Sequence, residues 1–392
     1  MMTFRRSIFW IHLTSGLVAG IVIAIMSATG IAIAFEEEIL TWADREVSHI
    51  GVPTESTPKL PLAELRELVD AAHPDYHPTM VMVHRDSAQA YTFLKRWHDP
   101  LYVNPFTGET KQTLSGQIQD VIHVLEAIHR WLGLQDDLYP TGRLITGICN
   151  LAFVVLCVTG IYLWWPKVMR GTVWRRALWF SKNRTTRARD FSWHNVIGIW
   201  SLPVLTVLAV TAVAISFAWG HSLVFRFFGE EAPESRNYGM MAVPPQVVPS
   251  PALGSTRLPF ETLINEVKID FPEWQSIELQ FPPAEQVAGT VPVAPINLGV
   301  ILPDYMPSRA YVPVESDPFT GEILQAVHFT NRSPGLQTRV WIRFLHTGAG
   351  LGLPGKIIAS FASLGSLVLV YTGFALAWRR FFARKPGRLT AS

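Results

Sequence analysis

Four long apolar blocks constrain this chain more than any other feature of its sequence. Residues 7–35, 142–165, 196–219 and 355–378 are each long enough to cross a hydrocarbon core of about 30 Å at about 1.5 Å per helical residue. Four transmembrane helices are therefore expected. The apolar surplus they carry explains a composition of 49% hydrophobic and 16% charged residues.

Charge sets the expected orientation. Between Pro166 and Asp190 stand Lys167, Arg170, Arg175, Arg176, Lys182, Arg184, Arg187 and Arg189, and after Trp378 come Arg379, Arg380, Arg384, Lys385 and Arg388. The positive-inside rule assigns both stretches, with Arg5 and Arg6, to the cytoplasmic side. The long segments of roughly 37–141 and 220–354 then lie outside. A net charge of +2 is read as topology, and nucleic acid is not an expected partner. The first block exceeds the apolar run of a cleaved signal peptide and reads as a retained anchor. Cys149 and Cys157 both fall within the second span, where disulfide or zinc chemistry has no partners, and read as packing residues.

The chain also repeats itself. Asn104-Pro105-Phe106-Thr107-Gly108-Glu109 recurs as Asp317-Pro318-Phe319-Thr320-Gly321-Glu322. In each copy a span begins at a glycine 38 residues later, Gly142 and Gly355, and a Thr-Gly pair follows after 17 more, Thr159-Gly160 and Thr372-Gly373. Upstream, Leu60-Pro61 matches Leu258-Pro259, and Pro74-Asp75-Tyr76 matches Pro272-Glu273-Trp274. A common register over this length predicts two copies of one helix, domain, helix unit.

Within the external part, Leu62, Leu65, Leu68 and Val69 share one face of a short helix after a proline. Alternation in Thr79–Val83 and Ala90–Leu94, then Leu101–Val103 before the Pro-Phe-Thr-Gly turn, predicts a small antiparallel sheet packed on it. Each external domain is expected to be α+β. Val243–Pro251 and Val291–Pro295 read as extended loops.

The first and third spans share a further pattern. His12 is followed at four residues by Gly16 and at seventeen by Thr29, and His194 by Gly198 and Thr211 at the same offsets. His12, Gly16, Ala19, Ile23, Ser27 and Gly30 fall on one helical face. Small residues beside an intramembrane histidine have two readings: close helix packing with an interhelical hydrogen bond, or room for a flat macrocycle whose iron the imidazole ligates. On the outer side His129 precedes Gly142 and His346 precedes Gly355, with Gly133, Gly348 and Gly350 nearby. His129 lies near the centre of an apolar face over residues 118–132, whereas His123 falls with Glu126 and Arg130 on the polar face. Pro140 and Pro354 break the chain before the spans, placing the outer pair at the membrane surface.

Two parallel copies related by an axis along the membrane normal would bring His12 to His194 and His129 to His346. Bis-imidazole ligation of haem iron at both places is the favoured reading, giving two haem groups and four histidine ligands to iron. Arg5, Arg6 and Arg189 inside, and Arg130, Arg143, Arg343 and Lys356 outside, are candidates to neutralise propionates, and each also reads as an interfacial anchor. Zinc and calcium fit less well, because no carboxylates accompany the histidines.

These residues resemble the PepSY-associated transmembrane family, which includes inner-membrane ferric-siderophore reductases. The resemblance runs over nearly the whole chain. It rests on the His12 to Gly16 and His194 to Gly198 patterns, the His129-Arg130-Trp131-Leu132-Gly133 and Leu345-His346-Thr347-Gly348 runs, and the two Pro-Phe-Thr-Gly-Glu turns. It implies a bacterial inner-membrane protein, mainly α, with four transmembrane helices as two parallel helix-domain-helix repeats and two periplasmic α+β PepSY-like domains. It further implies haem b and electron transfer to periplasmic ferric chelates. Ala212 departs from the pattern, standing where the other three spans have glycine after threonine.

The expected organisation is a span over 1–36, a first periplasmic domain over 37–117, an interfacial helix and second span over 118–165, and a basic cytoplasmic loop over 166–190. A third span over 191–219, a second periplasmic domain over 220–337, an interfacial segment and fourth span over 338–378, and a cytoplasmic tail over 379–392 complete it. The expected activity is reduction of ferric iron held by a siderophore, by outer-sphere transfer that needs no catalytic acid, base or nucleophile. His12, His194, His129, His346, Gly16, Gly198, Arg130 and Arg343 are the residues expected to bind the two haems. Tyr76, Trp97, Tyr102, Trp274 and Tyr305 are candidates for a chelate-binding surface or for core packing. The competing readings are a partner-binding or regulatory membrane protein without catalysis, and a haem conduit to another periplasmic acceptor or to quinone. The electron donor, cytoplasmic or in the membrane, has no signature in the sequence.

Overall fold

The computed structural model describes residues 3–51, 57–95, 98–165, 171–182, 185–233, 246–248, 255–282, 293–303 and 311–382. In chain order the helices are α1 (Phe4–Ile33), α2 (Glu36–Ala43), α3 (Arg45–Ser48), α4 (Leu62–Ala72), α5 (Gly116–Trp131), α6 (Tyr139–Trp164), α7 (Gly171–Leu178), α8 (Thr186–Ser216), α9 (Ala218–Phe227), α10 (Phe260–Asp270), α11 (Pro334–Thr347) and α12 (Gly352–Phe381). The strands are β1 (Met80–His84), β2 (Tyr91–Lys95), β3 (His98–Val103), β4 (Thr110–Gln112), β5 (Ser276–Gln280), β6 (Ile296–Ile301), β7 (Tyr311–Ser316) and β8 (Ile323–Ala326). They fall into two compact units, one of residues 1–36, 121–227 and 341–392 and the other of residues 37–120 and 228–340.

The first unit is helical. Four of its stretches are long and apolar enough to span a membrane: Phe4–Ala43, Asp136–Trp164, Thr186–Ser216 and Ala349–Phe381. They form a ring in which α1 packs on α6 and α12, and α8 packs on the same two helices, so α1 and α8 stand on a diagonal. Pro140 and Pro354 lie in the first turns of α6 and α12, where a missing N–H costs no hydrogen bond. Gly142 and Gly355 each let a helix start press on the preceding turn: a Cβ at Gly142 would collide with the Trp131 carbonyl, and at Gly355 with the Gly348 carbonyl. The third span stops at Ser216, three residues short of the apolar block. Phe217 turns to extended backbone, its ring lies over Gly147, and α9 follows within the helical unit.

The second unit differs from the sequence expectation in one respect. The two external segments, expected as separate domains, contribute to a single eight-stranded antiparallel sheet of order β4-β3-β2-β1-β5-β6-β7-β8. Its centre is the pairing of β1 with β5, Val81 opposite Leu279 and Val83 opposite Ile277. Side chains alternate across a strand. One face therefore collects Val81, Phe93, Leu101, Ile277, Leu279, Leu298, Val300 and Val312, and this face packs with Leu62, Leu65, Val69 of α4 and Leu263, Ile264, Val267 of α10 in one core.

The two halves are built alike. Leu60 N–H donates to the Pro105 carbonyl and Leu258 N–H to the Pro318 carbonyl, at 2.7 and 2.8 Å. Each Pro-Phe-Thr-Gly turn closes with a glycine at positive φ, 74° at Gly108 and 77° at Gly321, a region open to glycine at no steric cost. Asp44 is buried near the start of the sheet unit, where it accepts from the Tyr102 and Thr113 hydroxyls and from the Leu114 and Ser115 backbone N–H groups. Tyr76 and Trp274 are partly buried and pack against the core. Trp97, Tyr305 and most of the two proline-rich segments lie outside the described residues.

Candidate functional site: two imidazole pairs between diagonal helices

His12 on α1 and His194 on α8 face each other across the ring of helices, with ring centroids 6.3 Å apart and planes at 87°. His129 on α5 and His346 on α11 form a second pair at 6.4 Å and 58°. Histidine 123 takes no part in either pair. Measured along α1, the first pair lies at residue 12 and the second at residues 26–29, where His129 bonds the chain. That interval corresponds to about 21–26 Å of helix.

Each imidazole is held by a threonine. His12 Nδ1 lies 2.9 Å from Thr159 Oγ1, and His194 Nδ1 lies 2.9 Å from Thr372 Oγ1. His129 Nδ1 lies 3.1 Å from Thr29 Oγ1 and 2.9 Å from the Met26 carbonyl. His346 Nδ1 lies 3.2 Å from Thr211 Oγ1 and 3.1 Å from the Leu208 carbonyl. Burial, and the neighbouring His346 imidazole, push the His129 pKa down to about 4, so this ring is neutral at pH 7.

The glycine after three of these threonines is the floor on which an imidazole rests. A Cβ at Gly160 would sit 3.4 Å from His12 Cε1, at Gly373 3.6 Å from His194 Cε1, and at Gly30 3.1 Å from His129 Cε1. The first two are ordinary contacts and the third is tight; nothing in the structure explains why the fourth position is Ala212.

Around the first pair is a cavity of about 1020 Å³, at the upper end of the usual range for small-molecule sites. His12, His194, Gly16, Gly20, Gly160, Gly198 and Gly373 line it. The nearest atoms to a Cβ at Gly16 and Gly198 are Leu156 Cδ2 at 3.7 Å and Leu369 Cδ2 at 3.6 Å, so a larger side chain there enters the cavity. Leucine at either position is expected to fill part of this cavity and weaken binding of a flat ligand there, read by titrating the purified variant with haem.

Arg5, Arg6, Arg187 and Arg380 also line this cavity. Arg187 and Arg380 were not singled out in the sequence, where they are indistinguishable from other cationic topology signals. Arg189 is engaged elsewhere: with Arg379 it pairs with Asp190, whose side chain is fully buried, at 2.9 and 2.5 Å. Arg130 and Arg343 are exposed, Arg130 lying over the Trp131 ring. Arg143 reaches the Ser216 carbonyl at 3.5 Å, and Lys356 is buried. Cys149 and Cys157 are buried free thiols within the helix packing. No cluster of three or more His, Cys, Asp or Glu side chains occurs among the described residues.

The donor set fits haem. Two metal–imidazole bonds of about 2 Å, plus the half-widths of the rings, put ring centres roughly 6 Å apart, and both pairs stand at that separation. Helix ring, diagonal imidazoles and glycine-lined cavity define a multi-pass membrane protein with paired histidines held between its helices. The chain belongs to the family of the PepSY-associated TM region, which matches residues 9–380. It is also similar to an uncharacterized protein of Pseudomonas aeruginosa, 26% identical over 179 residues, a match that covers 45% of this chain and 44% of that protein. The chain thus spans less than half the length of that relative.

Proposed function

We propose that this protein is a two-haem electron-transfer protein of the bacterial inner membrane that takes electrons one at a time from a cytoplasmic reductant and passes them to siderophore-held ferric iron on the periplasmic side. The observation that carries the proposal is the geometry of the two histidine pairs. Each is set at a metal-bridging separation, and they lie about 21–26 Å apart along helices that cross a hydrocarbon core of about 30 Å. His12 and His194 would hold one haem b, and His129 and His346 the other, within two parallel copies of one unit. When bound, such a group supplies one-electron redox chemistry at an iron with no open position.

The chain's own residues do the rest. Four imidazoles would hold the two groups, Gly16 and Gly198 leave room for a flat ring, and Arg5, Arg6, Arg187 and Arg380 would offer charge-assisted hydrogen bonds to carboxylates. Reducing Fe(III) to Fe(II) weakens its bonds to the hard oxygen donors of a siderophore and releases the metal.

Stopped-flow mixing of dithionite-reduced protein with a ferric hydroxamate siderophore tests this. Oxidation of the protein on a subsecond scale, with ferrous iron trapped by a chromogenic chelator, is expected. Reoxidation by a short-chain quinone alone would redirect the proposal to a different acceptor.

A further inference from the structure

Each of the four threonines beside the imidazoles has one hydroxyl proton, and each has already given it away. Thr159 Oγ1 donates to the Val155 carbonyl at 2.6 Å, Thr372 to Val368 at 2.7 Å, Thr29 to Ile25 at 2.8 Å, and Thr211 to Val207 at 2.6 Å. This back-bonding to the fourth preceding carbonyl is a habit of helical threonine. Only lone pairs remain on each oxygen to face the ring, so the hydrogen bond runs from imidazole Nδ1–H to threonine. The Met26 and Leu208 carbonyls, which can only accept, require the same tautomer at His129 and His346 independently.

We infer that Thr159, Thr372, Thr29 and Thr211 are positioning residues that fix all four histidines with the proton on Nδ1, leaving Nε2 to ligate. The inference rests on the haem reading above and deepens it. A hydrogen-bonded Nδ1–H makes an imidazole more basic and orients its plane. The threonines therefore set the ring orientation at each iron, and they lower its reduction potential by favouring the ferric state. Without Thr159, the buried His12 N–H would lose its acceptor, which is costly away from water.

The pairing is also local to each half of the chain. His12 and His129 are held by Thr159 and Thr29, and His194 and His346 by Thr372 and Thr211. Each half thus carries a complete set of two positioned imidazoles, one for each iron.

The test uses full-length protein in detergent with Thr159→Val, which keeps shape and loses the hydroxyl. Haem affinity at one site is expected to fall roughly 10-fold or more. The potential of that haem should rise and its low-spin ferric EPR signal should change, while the other haem is unaltered. Thr159→Ser should restore all three. Two haems with unchanged potential and EPR in the valine variant would overturn the inference, as would equal loss of haem in the valine and serine variants. Nitrogen-15 NMR of labelled histidines reads the tautomer without any haem: Nδ1–H is expected in wild-type protein, and Nε2–H would overturn the inference even if both haems were present. Colourless wild-type protein would instead overturn the haem reading, leaving the NMR to judge the threonines.

Discussion

Purified His12→Ala or His194→Ala protein is expected to keep one haem of two, and His129→Ala or His346→Ala to keep the other. A reduced-minus-oxidised visible spectrum with haem quantification checks this. A large effect is expected because no third His, Cys, Asp or Glu joins either pair among the described residues to replace a lost imidazole. Removing one imidazole therefore removes half of a two-sided grip, whose members come from the diagonal α1 and α8 in the first pair and from α5 and α11 in the second. The two inner variants should give the same spectrum, as should the two outer ones. His123→Ala, outside both pairs, should retain both haems. If it loses one while His129→Ala does not, the outer assignment fails.

Phe93→Ala is expected to destabilise the sheet unit by about 3–5 kcal/mol, the usual cost of emptying a buried aromatic site. Phe93 is fully buried on β2, opposite Val81 of β1, and its ring stands 5.9 Å from that of Phe281. Phe281 follows β5 and belongs to the other half of the chain, so the cavity opens at the junction between halves. Hydrogen exchange is therefore expected to accelerate in β5, β6 and β7 as well as in β1, β2 and β3. Acceleration confined to β1–β3 would mean that the halves unfold independently and that the shared core does not act as one.

The four spans are legible in the sequence because a membrane crossing is a local property, written in about twenty consecutive side chains. The meeting of His12 with His194 is legible for another reason: equal offsets to Gly16 and Gly198 place the two residues equivalently, and symmetry supplies the contact that no local signal could. The joined sheet is not legible. Val81 and Val83 alternate with Met80, Met82 and His84 in the same way whether β1 ends a small sheet or continues into β5, and the partner strand is nearly two hundred residues away. The cationic lining of the cavity is hidden for a similar reason. Arg187 faces the cavity while Arg189, two residues on, is bound to buried Asp190, and both stand in a stretch whose positive charge already had an explanation. The threonines stand at repeated positions in the sequence, but each contact with a histidine Nδ1 joins residues 100 or more apart and has no local signature.

The margins of the shared sheet constrain how this protein meets others. Its outermost strands are the shortest, Thr110–Gln112 at one side and Ile323–Ala326 at the other. A ribbon of three or four residues offers few unpaired amides to a visiting strand, which blunts both strand-addition binding and runaway fibril growth. Recognition on this sheet is therefore left to side chains on its faces and to loops.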